Sequence, residues 1–162
     1  QKKLNLKVKF RESFRPFAPA ILLEDINEWF DLVSESPYML LVGKVKEDKL
    51  VEQTSDQKLA KGLEKLNIVR SKIPAVTHVD NSARIQTVTI ENGIYYDLIK
   101  SFKKKTGCPV IVNTSFNVRG EPPVNTPIDA YKCFMATDLD VLVLGNCVME
   151  KQNQINFNLD SE

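Results

Sequence analysis

The amino-acid sequence predicts an α/β fold with a sheet that is at least partly parallel. Short apolar stretches alternate with helical patterns after Ala75, as strands and crossover helices do in such folds. The chain has 162 residues, 43% of them hydrophobic, which is enough for one sizeable core but hardly for two. We therefore expect one domain at residues 1–151 and a polar C-terminal tail at residues 152–162.

The first half of the chain shows both periodicities. Apolar and polar side chains alternate at residues 4–10, which is typical of a half-buried strand, and the prolines that follow exclude a regular helix. An amphipathic helix is expected at residues 22–33 and a strand at residues 38–46. The polar segment at residues 44–67 is expected to be a loop region, in which one stretch can form a helix with three leucines on one face, Leu59, Leu63 and Leu66.

The second half begins with two predicted strands, at residues 75–79 and 83–89, separated by a D-N-S turn. Asn92 is expected to cap a helix that runs to residue 105. Gly107 should end this helix, because glycine adopts the left-handed conformation at little cost.

The last elements follow a short apolar strand at residues 109–113. The sequence T-P-I-D at residues 126–129 is a helix start, with a hydroxyl cap, proline at the first position and an acid at the third. This helix should run to about residue 137, and a buried strand is expected at residues 141–149.

Composition restricts the classes of function. The 22 Lys and Arg residues nearly balance the 21 Asp and Glu residues, so no global charge favours nucleic acid or membrane, and any anion site must be local. No apolar segment approaches the roughly 20 residues that span a bilayer. The chain has three cysteines, Cys108, Cys133 and Cys147, and they show no C-x-x-C spacing. An odd number of cysteines without this spacing disfavours a disulfide framework or a zinc site and favours a reducing cytoplasm.

Two polar turns follow predicted strands, where ligands of α/β sheets collect. One turn, N-T-S-F-N-V-R-G-E-P, leaves the strand that ends near Asn113 and carries Arg119. The other, H-V-D-N-S-A-R-I-Q, leaves the strand that ends near Val79 and carries Arg84. Small polar residues followed by arginine are the composition of a phosphate or carboxylate site, because a guanidinium makes bidentate contacts to such groups.

A third cationic segment, K-F-R-E-S-F-R, lies near the N-terminus. Lys9 and Arg11 would share one face of the predicted strand, so that both could point at one anion. Arg15 lies in an apolar stretch, where an unpaired cation is costly.

Other chemistries find little support. Ser115 lacks the G-x-S-x-G elbow of a hydrolase, and His78 is the one histidine in the chain. A single histidine cannot build a zinc site, although His78 could line a pocket. The sequence has no Walker or Rossmann glycine pattern.

Four stretches of the chain together resemble a known family. In order they read KVKFRESFRPFAPAI, SPYML, IPAVTHVDNSARIQTV and TGCPVIVNTSFNVRGEPPVNTPIDAYKCF. They are similar to the C-terminal domain of NodU/TobZ-type O-carbamoyltransferases over most of residues 7–150. In addition, TSFNVRGEP resembles the T-S-A-N-x-S-G-x-P turn of YrdC-like domains, and K-F-R resembles their K-x-R. The resemblance implies a YrdC-like fold, a twisted mixed parallel/antiparallel sheet flanked by helices.

The resemblance also implies a reaction. Such a domain binds ATP, with Mg²⁺, and carbamoyl phosphate, and forms carbamoyl adenylate with release of phosphate and pyrophosphate. An N-terminal domain of the sugar-kinase/Hsp70-like superfold, which this chain lacks, would pass the carbamoyl group to a substrate hydroxyl. Iron is expected only in that missing domain, and no metal ligands are expected in this chain.

Site residues are implied by the same resemblance. Lys9, Arg11 and Arg15 would bind the phosphates of ATP and carbamoyl phosphate. Arg84 and Arg119 would close the pocket, and His78 would line it. Ser115 and Asn117 would hold the nucleotide phosphate or the carbamoyl end, and Asn113 and Thr114 would shape the turn.

Two alternatives to an enzyme domain stay open from the sequence. The same arginines could hold a nucleotide or RNA in a binding module without catalysis, although nucleic-acid domains usually carry a basic excess, and this chain has a net charge of +1. The chain could also be a degenerate domain that serves only to dock a partner domain.

Overall fold

The computed structural model describes residues 1–155, so most of the predicted tail at residues 152–162 lies outside the described residues. Residue contacts divide the chain into two compact units. The sheet unit comprises Pro16–Thr114 together with Gln1, and the hairpin unit comprises Lys2–Arg15 and the described residues from Ser115 onward. The predicted domain boundary at residue 151 stays a prediction.

The elements of the two units are numbered along the chain. The α-helices are α1 Lys2–Lys7, α2 Ile26–Trp29, α3 Ser55–Leu59, α4 Ile94–Thr106 and α5 Pro127–Met135. The strands are β1 Ala18–Leu22, β2 Phe30–Asp31, β3 Leu41–Val45, β4 Ser82–Val88, β5 Val110–Asn113, β6 Val141–Leu144 and β7 Cys147–Glu150. Short 3-10 helices occupy Leu23–Asp25, Glu47–Lys49, Gly62–Asn67, Pro74–Val76, Ile90–Asn92 and Lys151–Asn153.

The sheet unit is built on a five-stranded sheet with the order β2-β3-β4-β1-β5. Strands β1 and β4 are parallel, whereas the other neighbouring strands are antiparallel. The expected mixed α/β sheet is therefore confirmed. One face is covered by α4, whose Tyr96 and Ile99 pack with apolar residues of the strands, Ala20, Leu22 and Val88.

Several predicted elements are confirmed, among them β3, β4, β5 and α5. Gly107 ends α4 in the left-handed conformation, with φ 75°. The predicted N-cap of α4 was one residue early: Gly93 is the N-cap, and the Asn92 side chain instead accepts a hydrogen bond from the Thr89 amide at 2.8 Å.

The strand predicted at residues 4–10 is wrong, because residues 4–7 belong to helix α1. Leu4 and Val8 lie on one side of a strand, but they are also spaced i, i+4, so the same pattern fits a helix turn. Burial decides between the two: Asn5 is fully buried, whereas Leu6 and Phe10 are 43% and 48% exposed. Lys9 and Arg11 therefore do not share a strand face but follow the end of a helix.

Three further expectations need correction. The helix predicted at residues 22–33 is broken into the end of β1, a 3-10 turn, the short α2 and β2. Residues 75–79 do not form a strand, because Pro74 begins a 3-10 turn there. The single buried strand predicted at residues 141–149 is the β6-β7 hairpin, which turns at Gly145, and Val143 and Val148 are largely exposed.

The hairpin unit has its own apolar cluster. Ala130 and Phe134 of α5 pack with Leu142 of β6. Helix α5 begins with the predicted capping box, in which the Thr126 hydroxyl accepts a hydrogen bond from the Asp129 amide at 3.2 Å. In return, the Asp129 carboxylate accepts a hydrogen bond from the Thr126 amide at 2.9 Å. The capping box thus fixes the point at which the segment from residue 115 to residue 126 enters α5.

We expect Thr126→Ala to lower the free energy of unfolding by about 1 kcal/mol, the usual cost of losing such a cap. The matched control is Thr54→Ala, which removes the same kind of box from α3, a five-residue helix without buried residues. Urea unfolding should show the loss for Thr126 and almost none for Thr54. Equal losses would contradict the view that the Thr126 cap matters more because α5 packs in an apolar cluster.

Candidate anion-binding site

A cleft of about 210 Å³ lies within the hairpin unit. It unites two chain segments, residues 9–15 and 115–119, that are about a hundred positions apart in sequence. Its lining consists of Lys9, Arg11, Glu12, Arg15, Ser115, Asn117, Val118 and Arg119. Six of the ten predicted site residues are therefore brought together here, namely Lys9, Arg11, Arg15, Ser115, Asn117 and Arg119.

Lys9 lies beneath the turn at residues 115–117 and is only 6% exposed. Its ammonium donates to the main-chain oxygens of Ser115 and Asn117, at 2.8 and 2.9 Å. It also contacts the Ser115 hydroxyl at 3.3 Å and the Asn117 side-chain oxygen at 2.6 Å. Four neutral oxygens thus surround one cation, and Lys9 ties the turn to the segment that follows α1.

The turn is also ordered by its own side chains. The Ser115 hydroxyl donates to the Asn117 side-chain oxygen at 2.7 Å, and the Asn117 amide nitrogen donates to the main-chain oxygen of Glu121 at 2.8 Å. Gly120 has φ 87°, a left-handed conformation that favours glycine. The backbone therefore reverses direction directly after Arg119, which brings its exposed side chain to the cleft.

The cleft carries an excess of positive charge. Four cationic side chains and the one carboxylate among its lining residues, Glu12, give a formal charge of +3. Burial, followed by the charge of Arg11, lowers the pKa of Lys9. Burial, followed by the charge of Arg15, lowers the pKa of Arg11. Because like charges are held together here, a bound anion would relieve their repulsion.

The other four predicted site residues lie in the sheet unit, and their convergence with the cleft stays a prediction. Arg84 is exposed on β4, and Thr114 follows β5. At the end of β5, the Asn113 amide nitrogen donates to the Gln86 side-chain oxygen at 2.5 Å.

His78 belongs to a short chain of hydrogen bonds in the sheet unit. The Ser82 hydroxyl donates to Asp80 at 2.6 Å, and the His78 Nδ1 atom lies 3.0 Å from the same hydroxyl. Bonds from Ser82, and then from Lys44, hold the pKa of Asp80 well below its usual range. Since the serine proton is committed to this carboxylate, His78 Nδ1 is the donor to Ser82.

Sequence reasoning missed one residue of the cationic segment and one residue that holds this segment. Glu12 lines the cleft, and Asn5 is bonded to the segment that carries its arginines. The only available signal was an asparagine inside a predicted strand, where this residue type is uncommon.

Residues 1–155 contain no group of three or more histidine, cysteine or acidic side chains arranged to hold a metal ion. The three cysteines are free thiols. Over the same residues, no helix has the length and apolar character needed to cross a membrane.

Fold and cleft together define an α/β protein with a local cationic cleft. The family described as Carbamoyltransferase C-terminus matches residues 1–151. The chain therefore belongs to this carbamoyltransferase family, as the resemblance of its motifs implied.

Individual relatives agree with this membership. The chain is 57% identical over 155 residues to an uncharacterized protein of Synechocystis, covering 95% of this chain and 25% of that protein. It is 41% identical over 154 residues to nodulation protein NolNO of Sinorhizobium fredii, covering 93% and 20%. It is 32% identical over 140 residues to the 3'-hydroxymethylcephem-O-carbamoyltransferase of Streptomyces clavuligerus, covering 86% and 23%. The chain thus spans a quarter or less of the length of these relatives.

Proposed function

We propose that this chain is the part of a cytoplasmic O-carbamoyltransferase that binds ATP and carbamoyl phosphate and forms carbamoyl adenylate. The observation that carries the proposal is the cleft, which is lined by Lys9, Arg11, Arg15 and Arg119 together with Ser115 and Asn117 of the turn. An N-terminal sugar-kinase/Hsp70-like domain of a longer chain would then transfer the carbamoyl group to a hydroxyl. Relatives about four times as long leave room for such a domain.

The proposed reaction has two balanced steps. Water cleaves carbamoyl phosphate into carbamate and phosphate. A carbamate oxygen then attacks the α-phosphorus of ATP, the bond from that phosphorus to the β-phosphate bridge breaks, and pyrophosphate leaves. Neither step requires a nucleophile from the protein.

The cleft would act by charge and orientation. Negative charge spreads over the phosphate oxygens as pyrophosphate leaves, and fixed cations stabilise it without reorganisation. Arg119, Arg11 and Arg15 would provide these cations, and Ser115 and Asn117 would bind the phosphate or carbamoyl end. Lys9 would hold the turn in place, because its ammonium contacts four oxygens of Ser115 and Asn117, and it would add its positive charge to the cleft. Mg²⁺ would arrive with ATP, and Glu12 is the carboxylate of the cleft that could contact it.

A second cavity in the same unit could take the nucleoside. It has a volume of about 510 Å³ and begins at Glu121, two residues after Arg119. Its walls combine an apolar stretch, Pro122 to Val124, with the polar side chains of Asn125 and Lys132. This mixture suits a base and a ribose, while the phosphates occupy the cationic cleft.

Binding by the 162-residue chain tests the proposal against the RNA-binding alternative. We expect calorimetry to show weak to moderate ATP binding that declines as salt rises towards about 1 M, where the Debye length is only about 3 Å. Single-stranded RNA should bind no better than to another protein with a net charge of +1. Tight RNA binding without ATP binding would replace the proposed function by the binding module.

A further inference from the structure

Asn5 is a polar side chain buried in the hairpin unit with an exposed fraction of 0%. Its amide nitrogen donates to the main-chain oxygens of Ser13 and Arg15, at 3.1 and 2.8 Å. Its side-chain oxygen accepts a hydrogen bond from Nε of Arg11 at 2.7 Å. Both protons of the amide are therefore committed, and its oxygen is bonded to a cation of the cleft.

These bonds converge on one segment. The main-chain oxygen of Asn5 also accepts a hydrogen bond from the Arg11 amide, at 2.9 Å. Arg11 is thus held by Asn5 at its backbone and at its side chain, and Arg15 is held through its carbonyl.

We propose that Asn5 is a positioning residue for the anion-binding cleft, an inference that rests on the proposed function. The bond to Nε fixes the plane of the Arg11 guanidinium, and the bonds to residues 13 and 15 fix the loop that carries Arg15. A cation that is already oriented loses less freedom when it binds phosphate, so preorganisation increases affinity. Asn5 would act through the arginines and would not touch the ligand.

The test is a double-mutant cycle on the 162-residue chain, with ATP and inorganic pyrophosphate as probes. We expect Asn5→Ala and Arg11→Ala each to weaken binding about tenfold, the scale of one charge-assisted contact. The double variant should bind more tightly than the product of the two single losses would give, because the part of the Asn5 effect that acts through the Arg11 guanidinium is already lost in Arg11→Ala, and only the part that acts through the Arg15 loop is left. Effects that multiply, or a folded Asn5→Ala chain with wild-type affinity, would overturn the inference.

A second comparison covers the case in which Asn5→Ala fails to fold. Arg11→Lys keeps the charge but has no Nε proton at the position bonded to Asn5, so it should lose nearly as much affinity as Arg11→Ala. Arg11→Lys with wild-type affinity would overturn the inference without any change at Asn5. If the wild-type chain binds neither probe, the proposed function fails and this inference fails with it, whereas normal wild-type binding with an unaffected cycle refutes only the role of Asn5.

Discussion

Arg119→Lys should sharply reduce carbamoyl-phosphate-dependent release of pyrophosphate in the full-length protein, while its melting temperature barely changes. The side chain is exposed, lines the cleft and follows the turn that Lys9 holds. Lysine retains the charge but cannot make the bidentate contact of a guanidinium, which should cost about 1–3 kcal/mol. This corresponds to a loss on the order of 5- to 150-fold in the adenylation rate constant kcat/KM, and Arg119→Ala should lose at least as much.

The matched control is Arg70→Lys in the sheet unit. The Arg70 guanidinium donates to the main-chain oxygens of Ile68 and Lys65 at 2.8 and 2.5 Å, and to that of Val79 at 3.2 Å. This arginine binds main-chain oxygens of the sheet unit and does not line the cleft. Its replacement should therefore lower stability and leave pyrophosphate release nearly unchanged. Undiminished release in Arg119→Lys would show that the guanidinium makes no special contact to the reacting anion.

Lys9→Met should weaken ATP binding by at least about tenfold and also lower the free energy of unfolding by about 1–2 kcal/mol. Methionine has a similar length and fills the buried site, but it provides no proton for the four oxygens of Ser115 and Asn117. The turn loses its anchor, and the cleft loses one of its four positive charges. Calorimetry with ATP and urea unfolding measure the two effects separately.

Lys7→Met is the control for this variant. Lys7 lies two residues earlier, and its ammonium is 3.3 Å from the Asp138 carboxylate in an exposed ion pair. Such pairs contribute little to stability, so this variant should bind ATP and unfold much like the wild type. If Lys7→Met and Lys9→Met weakened ATP binding equally, the loss would be explained by the overall charge of the chain. The contacts of Lys9 with the turn would then not account for it.

Local signals in the sequence predicted those elements whose ends are fixed by their own residues. The T-P-I-D start of α5 forms its capping box, and Gly107 ends α4 in the left-handed conformation. Strands β4 and β5 were also found, because their apolar residues are bounded by turn-forming ones. In these cases a few neighbouring residues determine the structure.

Elements that depend on distant contacts were mispredicted. The pattern at residues 4–10 fits a strand or a helix turn equally well, and what selects helix α1 is the burial of Asn5 against the loop at residues 13–15. Residues 141–149 were mispredicted for a different reason, because Gly145 turns the chain within the segment, a local signal that the continuous apolar pattern concealed.

The candidate site shows the same division. The arginines and the polar turn were recognised by residue type and by the resemblance to the carbamoyltransferase family. The bonds of Lys9 to residues 115 and 117 span more than a hundred positions, and no local pattern reports them. The sequence therefore predicted six of the side chains that line the cleft, but not the contacts that hold the cleft in shape.

Product analysis with ATP labelled at the α-phosphate tests the central claim most directly. The full-length protein would be incubated with this ATP and Mg²⁺, with and without carbamoyl phosphate, and its products separated. We predict pyrophosphate and a labelled adenylate that yields AMP, both formed only when carbamoyl phosphate is present and both strongly reduced in Arg119→Ala. Labelled ADP in place of the adenylate, or pyrophosphate release that does not depend on carbamoyl phosphate, would contradict the assignment of this chain to carbamoyl adenylate formation.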